Sequence, residues 1–174
     1  MTKGIDLAVG SEKLPPLVPR TMNRLTAPKS GPPAMLRFHR WIYIRSDGRV
    51  GPGMLGVRTL ILHTVGRKTG QPRQTALVFA RDGERIILAA SNDGKDNAPA
   101  WFLNLCARPV VEVQVGRSRF SGIATLINST DAEYPRLWEL MNGTNNGRYA
   151  SYQSKTSRPI PLVAIVRNAE APVA

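Results

Sequence analysis

The sequence is poor in the residues from which proteins build disulfides and metal sites. It has one cysteine and two histidines in 174 residues. The lone Cys106 excludes an internal disulfide and argues against a thiolate metal cage. His39 and His63 lie far apart, and no acidic or thiol cluster has metal-ligand spacing. We therefore expect no metal ion, and we expect a reducing compartment such as the cytoplasm.

Long apolar runs are missing too. No stretch approaches the roughly 18 consecutive apolar residues that a transmembrane helix needs, so we expect no membrane span. The N-terminal stretch lacks the apolar core of a signal peptide, because Glu12 and the pair Pro15-Pro16 interrupt it. These absences predict a cytoplasmic protein, with peripheral contact at the inner face of the cell membrane as the alternative.

Acidic residues are scarce relative to basic ones. The chain has 24 lysines and arginines against 12 aspartates and glutamates, so its formal net charge is +12. Such a charge attracts nucleic acid, acidic lipid headgroups, or a small ligand with phosphates or carboxylates. Aromatic residues make up only 6% of the chain, and none stands in its most basic loop, as base stacking would require. No helix-turn-helix or zinc-finger pattern is present, so we expect no nucleic-acid partner.

Prolines divide the chain into a tail and a domain. Residues 1–33 are irregular and proline-rich, which predicts a flexible tail, and residues 34–174 suit one globular domain. The apolar segment Ala34–Ile44 has helical spacing and predicts a helix packed on the core. Its alternative is a basic amphipathic helix on a membrane surface, with Leu36, Phe38 and Trp41 as the contacts.

Short apolar segments separated by turns follow the Gly-rich linker Ser46–Val57. The predicted strands are Leu60–Val65, Thr75–Ala80, Arg85–Ala90, Val110–Val115, Phe120–Ile127 and Ile160–Val166. The predicted helices are Ala98–Ala107, with Trp101, Leu105 and Cys106 facing inward, and one that Thr130 and Glu133 cap and that ends near Met141. Short antiparallel connections favour an α+β fold class, built as a small antiparallel barrel with flanking helices.

Positive charge is concentrated in the connection between the first two strands. Residues Gly66–Arg73, which we call the basic loop, read GRKTGQPR. Glycines let the backbone turn and expose its amides, and guanidinium groups bind oxyanions with two hydrogen bonds. The spacing matches neither a Walker loop nor a Rossmann fingerprint. The basic loop therefore predicts a phosphate or carboxylate site, and the alternative is a solvated hairpin loop.

A second polar connection, Ser91–Pro99, leads into the helix that carries Trp101. Its small and polar residues would let a ligand ring approach the backbone closely. A tryptophan at a helix start is more often part of the core than a ligand platform. Lys95, a further cation beside it, favours the ligand alternative.

These segments resemble the deazaflavin-dependent nitroreductase family. The resemblance rests on the basic loop, on Ala89-Ala90-Ser91, on Asn97–Leu105, on Pro109–Gly116 and on the tail Tyr149, Tyr152, Arg158 and Pro161. The branch that it resembles uses coenzyme F-420, an 8-hydroxy-5-deazaflavin with a phosphate and an oligoglutamate tail. The resemblance implies a split β-barrel of the flavin-reductase and FMN-binding type.

The resemblance also implies roles for residues in this sequence. The basic loop would hold the phosphate and the glutamates, and the Ser91–Pro99 loop, which we call the ring loop, would seat the deazaflavin. The implied cofactor-binding residues are Arg67, Lys68, Thr69, Arg73, Ala89, Ala90, Ser91, Asn92, Ala100 and Trp101. Tyr149 and Tyr152 would form the substrate side. Asn92 replaces a lysine, and Asn146 replaces a tyrosine, of the family pattern.

The implied reaction is hydride transfer from the reduced deazaflavin to a quinone, a nitro-aromatic compound or an activated alkene such as an enone. Tyr149 or Ser91 would supply the proton or polarise the acceptor oxygen. Two alternatives stay open: an enzyme that uses FMN on a related barrel, and a non-enzymatic basic module that binds nucleic acid or an anionic membrane. The sequence carries no signal for an oligomeric state.

Overall fold

The computed structural model describes residues 57–168. The predicted tail, the predicted helix Ala34–Ile44 and nearly all of the linker lie outside these residues. The described part forms seven strands: β1 Thr59–Val65, β2 Pro72–Val78, β3 Ala80–Asp82, β4 Arg85–Ala89, β5 Val110–Val115, β6 Ser118–Ile127 and β7 Leu162–Arg167. It also forms the helices α1 Ala100–Ala107, α2 Tyr134–Thr144 and α3 Arg148–Gln153, and a short 3-10 turn over Asn92–Gly94.

The strands form one antiparallel sheet that curls on itself. Its order is β2-β1-β5-β6-β7-β4-β3, so β2 and β3 are the two edges. These edge strands are nevertheless consecutive in the chain, and only Phe79 separates them. The sheet must therefore bend until its edges approach each other, which makes it a half-barrel. The predicted antiparallel barrel with few flanking helices is confirmed.

The predicted strand Thr75–Ala80 is in fact the end of one strand and the start of another. Val78 is the last residue of β2 and pairs with β1, whereas Ala80 begins β3 and pairs with β4. Phe79 between them is 3% exposed and belongs to the core. The chain changes partners at this corner without a glycine or proline, so an apolar run of uniform character contains the break.

Side chains from the two faces of the sheet form two hydrophobic cores. The first core is formed by strand residues such as Leu60, Leu88 and Val113 together with residues of α1 such as Phe102. The second lies under α2 and α3 and includes Ile87, Ile127, Leu137, Met141 and Tyr149. Leu137 and Met141 are four residues apart and both are 0% exposed, which identifies the buried face of α2.

The predicted capping box at Thr130 and Glu133 is wrong. The helix α2 begins at Tyr134, and neither side chain caps it. The carboxylate of Glu133 instead accepts a hydrogen bond of 2.8 Å from Arg85, which lies in β4. An ion pair across 48 residues thus replaces the local bond that the sequence pattern favours. Pro135 occupies the first turn of the helix, where its missing N–H costs nothing.

The predicted inward orientation of Cys106 is also wrong, because this thiol is exposed. Trp101 and Leu105 do face the core, since their exposed fractions are 7% and 4%. In the described part of the chain, no helix is long and apolar enough to cross a membrane. Within the same residues no three His, Cys, Asp or Glu side chains gather as metal ligands would.

Candidate cofactor and acceptor site

The basic loop is a compact hairpin connection that its own backbone closes, and its last two residues, Pro72 and Arg73, already belong to β2. The amide of Gly66 donates to the carbonyl oxygen of Gln71 at 2.8 Å, and the amide of Gly70 donates back to the carbonyl oxygen of Gly66 at 2.8 Å. Gly70 has φ +66°, a left-handed conformation that glycine adopts without steric cost. The two glycines thus give the loop a fixed shape from residues within it.

The polar side chains of this loop point into solvent. Arg67, Lys68, Thr69 and Arg73 are all exposed. Between residues 57 and 168, none of the three cations has a carboxylate within ion-pair distance. Three positive charges that no carboxylate of the described residues neutralises suit a ligand with several negative charges, such as a phosphate followed by glutamates.

Asn104 anchors the basic loop, and sequence reasoning missed it. Its side chain is buried between α1 and β1. The Oδ1 atom accepts a hydrogen bond of 3.1 Å from the amide of Arg67, and Nδ2 donates one of 3.2 Å to Oγ1 of Thr64. A signal was available, because Asn104 is the one strongly polar residue in the apolar helix sequence AWFLNLCA.

The ring loop begins where β4 ends against β7. Ala89, Ala90 and Ser91 are buried, and the amide of Ala90 donates to the carbonyl oxygen of Pro161 at 3.0 Å. The next two residues, Asn92 and Asp93, have positive φ values of 49° and 58°. Such conformations are uncommon for residues with a side chain, and they cluster at functional sites.

The first residues of the ring loop are held by contacts within the loop and with α3. Nδ2 of Asn92 donates to the carbonyl oxygen of Asn97 at 2.9 Å, which closes the loop on itself. Gly94 follows with φ +81°, and a Cβ atom there would lie 2.6 Å from the carbonyl oxygen of Tyr152. Only glycine fits at this approach of the loop to the end of α3.

The ring loop is also held by residues that follow α3. Oγ1 of Thr156 donates to Oδ1 of Asp96 at 2.8 Å. The Arg158 guanidinium lies within hydrogen-bond distance of the carbonyl oxygens of Ala90, Ser91 and Lys95. The resemblance included Arg158 without a role, and Thr156 was missed, since no local pattern links them to a loop about 60 residues earlier.

Tyr149 and Tyr152 lie together on α3. Their ring centroids are 6.1 Å apart at an interplanar angle of 73°. Burial raises the pKa of Tyr149 well above its usual range, and Tyr152 and Asp93 raise it further. Partial burial likewise raises the pKa of Tyr152, with a smaller effect of Asp93. Both phenols are therefore neutral near neutral pH and can donate a hydrogen bond.

Ala100 and Trp101 begin α1 directly after the ring loop. Ala100 is exposed, whereas Trp101 is 7% exposed and belongs to the first core. The Trp101 ring meets Phe102 edge to face, with centroids 6.1 Å apart. Trp101 therefore belongs to the core at the start of α1 and offers little surface of its own.

One short helix connects the two loops. The ring loop ends at Pro99, where α1 begins, and Asn104 on the next turn of α1 holds the amide of Arg67 in the basic loop. Four residues of helix rise by about 6 Å along the axis. The basic loop and the ring loop are thus joined through α1, and the ring loop approaches α3, which carries the two tyrosines, at Gly94.

The family model described as F420H(2)-dependent quinone reductase matches residues 35–167. The chain belongs to this family. Among curated proteins it is 46% identical over 134 residues to the F420H(2)-dependent quinone reductase Rv1261c of Mycobacterium tuberculosis. The match covers 76% of this chain and 90% of that protein. It is 31% identical to the putative F420H(2)-dependent quinone reductase Rv3178 of the same organism, over 67% of this chain and 97% of that protein.

Solved structures of similar proteins agree with the fold. A structure titled as an F420-H2 dependent reductase (FDR-A) superposes with a TM-score of 0.55 at 29% identity, over 62% of this chain and 92% of that one. A structure titled as a domain-swapped dimer gives a TM-score of 0.56 at 26% identity, over 72% and 96% of the two chains. The predicted family, the split barrel and the predicted class of enzyme, a reductase that depends on coenzyme F-420, are confirmed. The FMN alternative finds no support in the family match.

Proposed function

We propose that this protein transfers a hydride from reduced coenzyme F-420 to a quinone. Nitro-aromatic compounds and activated alkenes are the further acceptors that we expect it to reduce. The observation that carries the proposal is the continuous arrangement of basic loop, α1, ring loop and α3, which matches an elongated cofactor with an anionic end and a flat end. The family name and the names of the relatives point to a quinone as acceptor.

The basic loop would supply most of the cofactor affinity. In our proposal Arg67, Lys68 and Arg73 bind the phosphate and the glutamates, and Thr69 adds a hydroxyl donor. These cations are exposed and have no carboxylate partner within the described residues, so ligand binding would break no ion pair among those residues. Affinity should consequently fall as salt concentration rises.

The ring loop would align the flat part of the cofactor. We assign this contact mainly to backbone atoms of Ala89, Ala90, Ser91 and Asn92, because the first three side chains are buried. Ala100 is the exposed neighbour on α1, and Trp101 would act chiefly as support beneath it. A reduced deazaflavin supplies the hydride when bound, so the protein needs no nucleophile of its own.

The tyrosines would complete the acceptor side. Reduction of a quinone to a hydroquinone takes one hydride from the cofactor and one proton at the acceptor oxygen. The neutral phenol of Tyr149 can donate to that oxygen, and the hydroxyl of Ser91 is the second candidate. Tyr152 is partly exposed, whereas Tyr149 is 5% exposed, so Tyr152 offers the larger contact surface to an acceptor.

A single assay tests the proposed reaction. Purified protein is mixed without oxygen with reduced coenzyme F-420 and a panel of quinones, nitro-aromatics and enones, and the return of oxidised-cofactor absorbance is followed. We expect turnover with at least one quinone, and tight binding of coenzyme F-420 against weak binding of FMN in parallel titrations. Absence of cofactor binding and of turnover with every acceptor would refute the proposal.

The same assay separates the roles of the hydroxyls. We expect Tyr149→Phe to slow acceptor reduction at saturating cofactor by about a hundredfold if its hydroxyl donates the proton, with cofactor affinity unchanged. Ser91→Ala is the matched variant for the second candidate. Wild-type rates in Tyr149→Phe would remove Tyr149 from the chemistry and leave it as a core residue.

A quinone acceptor that resides in a membrane would favour peripheral membrane contact. For this contact we propose the basic amphipathic segment Ala34–Ile44, with Leu36, Phe38 and Trp41 as its apolar residues. Sedimentation with anionic vesicles should carry down the wild-type protein and leave a Phe38→Ser with Trp41→Ser variant in solution. Equal sedimentation of the two would refute this contact.

A further inference from the structure

Arg158 makes an unusual concentration of contacts with the ring loop. One terminal nitrogen of its guanidinium lies 3.2 Å from the carbonyl oxygen of Ala90, 3.3 Å from that of Ser91 and 3.4 Å from that of Lys95. These oxygens belong to the residue before the loop, to the first residue of the loop and to its middle, 63 to 68 residues before the arginine. A permanent positive charge where three carbonyl dipoles converge holds the two parts of the loop together.

The same guanidinium is buried on its other edge. Its Nε atom is buried and has no hydrogen-bond partner among residues 57–168. An unpaired buried donor is unfavourable, so the contacts of the terminal nitrogen must outweigh it for the arginine to stay in this position. The contacts of the terminal nitrogen with the three carbonyl oxygens therefore determine where the Arg158 guanidinium lies.

The backbone of Arg158 is fixed to α3, which carries the two tyrosines. Gln153, the last residue of α3, donates through Nε2 to the carbonyl oxygens of Thr156 and Arg158 at 3.2 and 3.0 Å. Its Oε1 accepts a hydrogen bond of 2.9 Å from the amide of Ile160. Arg158 thus has its main chain on the helix of the acceptor side and its side chain on the loop of the cofactor side.

We propose that Arg158 is a positioning residue that sets the geometry between the deazaflavin and the acceptor. It contacts the carbonyl side of the ring loop and the end of α3, and we assign it no contact with the cofactor or the acceptor. The inference rests on the proposed function, since it concerns the alignment of two reactants at that site. Small errors in such alignment reduce the rate of transfer much more than they reduce binding.

The test compares three arginine variants. Arg158→Gln removes the charge and most of the contacts, and Arg158→Lys keeps the charge without the planar fork. Arg136→Gln is the matched control, because Arg136 makes hydrogen bonds to both carboxylate oxygens of Asp82 at the β3–β4 hairpin, outside both loops. Single-turnover hydride transfer, acceptor KM, cofactor Kd and thermal unfolding are measured for each variant.

A second measurement needs no cofactor. Hydrogen exchange of the free protein reports on the amides of Gly94 and Lys95, which donate within the ring loop to the carbonyl oxygens of Ser91 and Asn92 at 3.0 and 3.1 Å. We expect faster exchange at these two amides in Arg158→Gln, partial recovery in Arg158→Lys and no change in Arg136→Gln. This readout separates loss of the loop conformation from loss of chemistry.

We expect Arg158→Gln to slow hydride transfer about tenfold and to raise the acceptor KM, while cofactor Kd changes by less than about threefold because the basic loop supplies the affinity. Arg158→Lys should lie between this variant and the wild type. A wild-type transfer rate in Arg158→Gln, an equal loss in Arg136→Gln, or unchanged loop exchange would each overturn the inference. Failure of the wild-type protein to bind or oxidise the reduced cofactor would refute the proposed function instead, and loop exchange would then decide whether Arg158 fixes the loop.

Discussion

The basic loop and the ring loop, which α1 connects, differ in how much they depend on contacts from distant parts of the chain. The basic loop is closed by hydrogen bonds between residues at most five positions apart, and one buried side chain, Asn104, holds it from outside. The ring loop has local hydrogen bonds too, but it also depends on Thr156 and Arg158, which lie 60 to 68 positions after the residues that they contact, and on the close approach of Gly94 to α3. The loop that would bind the anionic part of the cofactor can therefore be exposed and held mainly by its own hydrogen bonds. The loop that would align the deazaflavin ring is also fixed by distant parts of the fold.

This difference predicts that the same glycine substitution will have unequal effects in the two loops. Gly94→Ala forces an alanine into a left-handed φ and places its Cβ atom only 2.6 Å from the backbone oxygen of Tyr152. Gly70→Ala forces an alanine into a similar φ, but no atom outside its chain neighbours lies within 4 Å of its Cβ atom. We expect the free energy of unfolding to fall by about 3 kcal/mol for Gly94→Ala and by about 1 kcal/mol for Gly70→Ala. Denaturant titration measures both, and equal losses would contradict the close contact.

The second prediction concerns cofactor affinity, which should depend on the basic loop. We expect Arg67→Ala combined with Lys68→Ala to weaken binding of reduced coenzyme F-420 by about a hundredfold at low salt. The control is Arg108→Ala with Arg117→Ala, which removes the same charge from exposed positions outside both loops. Fluorescence titration at two salt concentrations should show a weaker salt dependence for the first pair. Similar losses in the two pairs would mean that net charge, and not the loop, attracts the cofactor.

The contrast between the loops also explains what the sequence could predict. The basic loop was found because its glycines, cations and flanking strands are contiguous, and the strands followed from apolar runs between turns. The contacts of Arg158 could not be found, because they depend on which strands become neighbours in the curled sheet. The corner at Phe79 was missed for the same reason, since 76–80 is one unbroken apolar run although Val78 pairs with β1 and Ala80 pairs with β4.

The capping pattern at Thr130 and Glu133 shows how a tertiary contact overrides a local signal. The residues match the expected spacing, yet Arg85 pairs with Glu133 and with Asp82. The hydrogen bonds of one arginine to two carboxylates stabilise the fold more than one capping hydrogen bond would, because each of them joins two charged groups. A local pattern therefore predicted the presence of α2 and not the contacts at its start.

The third prediction tests Asn104, which supports the basic loop from outside it. Asn104→Leu replaces the buried amide with a side chain of similar size and leaves the amide of Arg67 and the hydroxyl of Thr64 without this partner. We expect a loss of about 2 kcal/mol in unfolding free energy and a cofactor Kd raised by about fivefold. Thr64→Val is the matched control, because it removes only the bond to the hydroxyl. An unchanged Kd in Asn104→Leu would show that the loop keeps its shape through its own backbone alone.

The smallest expected effect is the pH dependence of stability that arises from Tyr149, which lies on α3 beside the ring loop. The pKa of Tyr149 is raised in the folded protein, first by burial and then by Tyr152 and Asp93. An unfolded tyrosine ionises near pH 10, so above that pH the folded state binds more protons than the unfolded state. Stability supplied by the neutral phenol is therefore complete below about pH 10 and is lost as the pH rises toward the folded pKa.

Comparison of the wild type with Tyr149→Phe measures this linkage directly. Between about pH 8 and pH 11 the wild type should lose about 1 kcal/mol more unfolding free energy than the variant. Asp93→Asn should reduce that difference only slightly, because burial is the larger cause. A difference that disappears completely in Asp93→Asn would instead mean that the charge of the ring loop dominates the environment of Tyr149. The acceptor side would then be coupled to the ring loop by electrostatics as well as by the contacts of Arg158.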